Sequence, residues 1–154
     1  MTTRREFIGT LAGPLLAAPF AAEAQAPARV PRIGFLSVGL PTDLGGRLDA
    51  FRQGLRELGY VEGQTIAIEY RFAERRPERL PALAAELVRL KVDVIVTAAP
   101  PAPETARQAT STIPIVFAVT GDPVAEGLVA SLARPGGNIT GLTSIAPEVA
   151  GKQL

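Results

Sequence analysis

Residues 80–97, LPALAAELVRLKVDVIVT, decide the fold. Leu80, Leu83, Leu87 and Leu90 recur at helical spacing and make one apolar seam, while Glu78, Arg79, Glu86 and Arg89 lie off it. Pro77 stands in the first turn, where a missing N–H is tolerated. Val92 to Val96 follow as a short buried strand, and a helix that delivers straight into such a strand belongs to a sheet covered on both faces.

Working outward, the same rhythm repeats. Upstream, Ile33-Gly34-Phe35-Leu36 is another nearly unbroken apolar run, and Leu44, Leu48, Phe51, Leu55 and Leu58 then form one helical stripe closed by Gly59. Ile66, Ile68 and Tyr70 alternate with Ala67 and Glu69, which predicts an edge strand with one less buried face. Downstream come an Ala-rich helix around Glu104 to Thr110, a strand at Ile115 to Val119, and a helical segment from about Pro123 to Leu132. Pro135-Gly136-Gly137-Asn138 is a turn signal leading to a last strand, Ile139 to Leu142. Five strands with intervening helices predict an α/β fold, a doubly wound parallel sheet of order 2-1-3-4-5.

Composition narrows the function classes. The chain has 154 residues, 47% hydrophobic and 20% charged, which is the balance of an ordinary globular domain. With no cysteine and no histidine, it lacks the two best transition-metal ligands and the commonest general base. The net charge is +1 and no basic run is interleaved with aromatics, so nucleic-acid binding has little support. No catalytic residue, metal site or cofactor is expected, and no enzyme.

Residues 1–24 read as an export signal peptide: Arg4 and Arg5 form the positive region, and Phe7 to Ala22 the apolar stretch. Arg4-Arg5-Glu6-Phe7-Ile8 is twin-arginine-like, although two arginines also serve the general secretory route. Ala22-Glu23-Ala24 favours cleavage after Ala24, because Pro27 obstructs the alternative cut after Ala26. Gly9, Gly13, Pro14 and Pro19 argue against a stable spanning helix, so the mature protein is expected to be periplasmic and not membrane-spanning. Residues 25–31 are then a Pro-rich connector, 32–143 one lobe, and 144–154 the beginning of a second, truncated lobe.

From about Arg32 onward the chain closely resembles one family. The resemblance rests on Gly59-Tyr60-Val61-Glu62-Gly63-Gln64, Arg76-Pro77-Glu78-Arg79-Leu80, Val92-Asp93-Val94-Ile95-Val96-Thr97, Gly121-Asp122-Pro123-Val124 and Ala133-Arg134-Pro135-Gly136-Gly137-Asn138. It is similar to the ABC transporter substrate-binding proteins related to tryptophan and aromatic amino-acid receptors. The resemblance implies a type I periplasmic-binding fold, in which two similar lobes close on a small solute such as an amino acid and present it to an ABC permease. Ile139 to Leu142 would be the first strand crossing between lobes.

In such receptors the ligand meets hydroxyls and backbone amides beyond the carboxyl ends of the strands. The expected ligand-binding residues are Ser37 after the first strand, Thr97, Ala98 and Ala99 after the third, and Thr120, Gly121 and Asp122 after the fourth. Ser37 also reads as a polar strand end, and Asp122 before Pro123 as a helix N-cap. The family usually carries glycine and a hydroxyl residue where this chain has Ala99-Pro100, which removes a backbone donor. Arg71, Glu74, Arg75 and Arg76 read as solvated surface. The rival readings are a flavodoxin-like small enzyme or nucleotide-binding domain, which lacks a G-x-G-x-x-G or Walker lysine here, and a nonfunctional fragment.

Overall fold

The computed structural model describes residues 29–143, without the side chains of Val119 and Thr120. The expected leader, most of the connector and the expected start of a second lobe lie outside the described residues. The five strands are β1 (Arg32–Ser37), β2 (Ala67–Phe72), β3 (Val94–Ala98), β4 (Ile115–Thr120) and β5 (Ile139–Thr143), all pairing parallel in the order β2-β1-β3-β4-β5. Three helices connect them: α1 (Arg47–Glu57), α2 (Leu80–Arg89) and α3 (Ala102–Ala109). This is the doubly wound sheet that the residues predict.

Strand parity sorts the core into two clusters. Leu36, Ile95, Ile115, Phe117 and Ile139 face α2 and α3, and pack with Leu80, Leu83, Leu87 and Ala106. Phe35, Val96 and Ala98 face the other way, toward α1, with Leu44, Leu48 and Phe51. Gly34 sets how closely α2 approaches the sheet, because a Cβ there would meet both Leu87 methyls at 3.0 Å and a Val92 methyl at 3.2 Å. At the opposite end of the sheet, Asp93 accepts the Arg32 amide at 2.7 Å and pairs with Arg29 at 3.1 Å, fixing the entry to β1.

One expected element does not form. Between Pro123 and Leu132 the chain makes turns, not a helix. The Asp122 carboxylate receives the amides of Val124 and Ala125 at 2.9 and 3.1 Å, starting a turn in the manner of an N-cap. Gly127 then adopts φ +69°, its amide reaching the Val124 carbonyl and the Leu128 amide that of Pro123. That pair of bonds is a Schellman stop after a single turn, and it turns Leu128 and Val129 down into the core. Gly127, five residues after the cap, was the sequence signal for the stop.

The turn Pro135–Asn138 forms as expected. The Asn138 amide donates to the Thr110 and Ile113 carbonyls at 3.1 and 2.7 Å, tying this turn to the α3–β4 connection.

Candidate functional site

Register brings Ser37, Ala98, Ala118 and Leu142 into one row near the carboxyl end of the sheet. The loops that follow β1, β3 and β4 form the rim beyond it, and the strand order reverses between β1 and β3, where ligands of such sheets bind. On the α1 side of this switch point a cavity of about 230 Å³ opens between α1 and the strands. Phe35, Val96, Ala98, Ala99 and Ala118 line it from the sheet side, and Leu44, Leu48, Ala50 and Phe51 from around α1, with Arg47 among the lining residues. Larger grooves lie away from the rim, one of about 350 Å³ between α2 and α3 and one of about 540 Å³ beside the Pro135–Asn138 turn.

The structure divides the seven expected residues. Ala98 and Ala99 reach the cavity, and Ala99 holds φ +64°, a left-handed conformation unusual for a residue with a Cβ. Thr97 shares the parity of Ile95 and so faces the α2–α3 side. Ser37 is buried, and its hydroxyl accepts the Gly39 amide at 3.3 Å, a local turn contact. Gly121 accepts a 2.6 Å hydrogen bond from the Thr143 hydroxyl, which joins the ends of β4 and β5. Asp122 makes the capping bonds described above. The Thr120 side chain lies outside what the structure describes.

Thr97 is 0% exposed and its Oγ1 has no hydrogen-bond partner among the described residues. An unpaired buried hydroxyl costs about 1–3 kcal/mol. Thr97→Val keeps the shape and removes that cost, so we expect it to raise unfolding stability by about 1 kcal/mol in urea titration. A loss of stability would mean that the hydroxyl has a partner.

Glu74, Arg75 and Arg76 are exposed, as expected, and organise the rim, whereas Arg71 lies within β2, half-buried and paired with Glu86 at 2.8 Å. Arg75 forms a two-pronged ion pair with Asp43, whose Oδ2 also accepts the Leu40 amide at 2.8 Å. Gly39 makes room for this, since a Cβ there would lie 2.9 Å from Asp43 Oδ2. Glu74 and Arg75 sit consecutively at φ 56° and 61°, held by a 2.7 Å bond from the Arg75 amide to the Val38 carbonyl. Glu74 pairs in turn with Arg76 and Arg79. Strained non-glycine residues persist only where surrounding contacts fix them, and here they clamp the β2 loop onto the β1 loop.

The Arg75 guanidinium, and then the Leu40 amide, hold the Asp43 carboxyl below its ordinary value of 3.8. A carboxylate lowered on folding contributes stability above its unfolded pKa and loses it as pH falls through the folded one. Acid unfolding followed by circular dichroism should therefore begin at higher pH in Arg75→Met than in the parent chain. Coincident acid transitions would show that the clamp contributes nothing to the fold.

Residues that sequence reading missed are Arg47, Asp43, Ala118 and the aromatic wall of the cavity. Arg47 carried one signal, a cation in the first turn of a helix, where the dipole disfavours it. Asp43 and Arg75 carried none, being joined only by the fold.

Comparison with known proteins places this rim in context. The pattern of the family described as ABC transporter substrate binding protein matches residues 44–150. A tyrosine-binding protein of Clostridioides difficile (strain R20291) is 36% identical over 91 residues, which is 59% of this chain and 26% of that protein. Among solved structures, a ligand-free, open substrate binding protein with adhesive properties from Clostridium difficile superposes with a TM-score of 0.69 at 30% identity, over 73% of this chain and 38% of that one. A conserved domain protein from Vibrio cholerae gives 0.73 at 32% identity, over 77% and 40%. An ABC domain from Streptococcus pneumonia in complex with L-Trp gives 0.69 at 29%, over 73% and 38%. The chain thus spans 26% of the curated relative and 38–40% of the solved ones. With the pattern covering more than half of its length, the chain belongs to the ABC transporter substrate binding protein family.

Proposed function

We propose that the protein is the extracytoplasmic solute-binding component of an ABC importer, holding a small solute such as an amino acid between this rim and a second, similar lobe. The observation that carries the reading is the apolar cavity at the switch point, flanked by loops that a clamp and strained residues hold in place. Relatives named for tyrosine binding and solved with L-Trp support an amino-acid ligand. The residues that reach the rim supply shape and hydrogen bonds, and the sequence has neither histidine nor cysteine to serve as base or thiol nucleophile. We read no catalytic role in it.

Export fits this role. Arg4 and Arg5 before the apolar stretch Phe7 to Ala22 support a cleaved leader and a periplasmic location, and among the described residues no helix is long and apolar enough to cross a membrane. The permease is then the partner, met by a surface that forms when two lobes close.

The test is an amide NMR titration of the chain against the common L-amino acids. Saturable shifts confined to the rim and the cavity lining, residues 35–51, 96–102 and 118–122, are the expected result. Shifts confined to the α2–α3 face, or turnover of any compound tested, would overturn the reading.

A further inference from the structure

Resting on that reading, we propose that the cavity beneath α1 is the subsite for the ligand's side chain, that it selects an apolar side chain without a hydroxyl, and that Arg47 takes the ligand's carboxylate. About 230 Å³ is below the roughly 300–1,000 Å³ of pockets that enclose a whole drug-sized ligand, and suits one side chain. The space exists because Ala98, Ala99 and Ala118 are small where the neighbouring wall is large. Phe35 and Phe51 stand 5.7 Å apart and tilted by 47°, so they offer ring faces and edges to an entering aromatic or branched group.

Charge points the same way. Arg47 is exposed and has no ion-pair partner among the described residues. The two aspartates nearest it in sequence are committed elsewhere, Asp43 to Arg75 and Asp49 to Arg52 at 3.6 Å. An arginine lining an apolar cavity matches a molecule with an apolar body and a carboxylate head, for which its guanidinium can offer a two-pronged hydrogen bond.

Specificity follows from the lining. Among the described side chains, which do not include that of Thr120, the lining apart from Arg47 holds no hydroxyl, amide or acid group, so a phenol entering it buries an O–H that none of them pairs. Phenylalanine and leucine are therefore the preferred ligands, and tyrosine is disfavoured by about tenfold or more, in contrast to the relative named for tyrosine.

Calorimetric titration of the full chain with L-Phe, L-Leu, L-Tyr and phenethylamine tests this. The expected order places Phe and Leu at least about tenfold above Tyr, and above phenethylamine, which lacks the carboxylate. Ala98→Leu, which fills the cavity, should weaken Phe binding at least about tenfold, and Arg47→Gln, an exposed change that leaves packing untouched, should weaken it about tenfold. If Ala98→Leu fails to fold, Arg47→Gln with the Phe-to-Tyr ratio carries the test alone. Tyr binding as tightly as Phe, or Phe binding unchanged in both variants, overturns the subsite while the solute-binding reading stands. Failure of the parent chain to bind any amino acid overturns both.

Discussion

Replacing Gly141 by alanine is expected to destabilise the domain by at least about 3 kcal/mol and to lower its melting temperature by about 10 °C or more. Gly141 lies opposite Phe117 in the β4–β5 pairing, and a Cβ there would strike the Phe117 carbonyl oxygen and come within 2.6 Å of its ring. The obstruction is backbone, which cannot swing aside as a side-chain tip would. Strand β5 must then move off β4, exposing Ile139 and Phe117, both buried in the main cluster. The Thr143 bond that closes the rim at Gly121 goes with it. Gly54→Ala is the control, since no neighbour lies within 4 Å and alanine is the better helix former by about 1 kcal/mol. A Gly141→Ala protein that melts with the parent would show that β5 does not pair there.

Sheet order was legible because it follows from local rules. Apolar runs at Ile33 and Val94 marked buried strands, those at Ile115 and Ile139 marked two more strands, the alternation Ile66-Ile68-Tyr70 marked an edge, and right-handed crossovers left one economical order. The missing helix was a failure of period over punctuation: Val124, Leu128 and Leu132 have helical spacing, and Gly127 ends the turn before they can use it.

The site was harder to read, because its parts are ordinary core residues until the fold sets them around a space. Phe35, Leu48 and Phe51 have the pattern of packing residues, and they are that; the cavity comes from the alanines opposite, whose smallness leaves no mark in periodicity. Parity alone could have separated Thr97 from Ala98, since adjacent residues of a strand face opposite sides. The Asp43–Arg75 clamp spans 32 residues and joins two loops, a pairing that no local pattern encodes.

Binding by the single described lobe should be at least about a hundredfold weaker than binding by a two-lobed relative such as the one solved with L-Trp. Ligand pockets typically bury 70–90% or more of their occupant, whereas one wall covers roughly half of it. An aromatic side chain offers about 150–250 Å² for burial, so the uncovered half forfeits about 75–125 Å², or about 2–3 kcal/mol at 25 cal/mol per Å². That alone is about 30- to 150-fold in affinity. Each hydrogen bond that a second wall would have made adds about 1 kcal/mol to the deficit. Calorimetry of this chain beside that relative under one set of conditions measures the ratio. An affinity within tenfold would mean that this wall encloses its ligand unaided, and the two-lobed closure would then be unnecessary for capture.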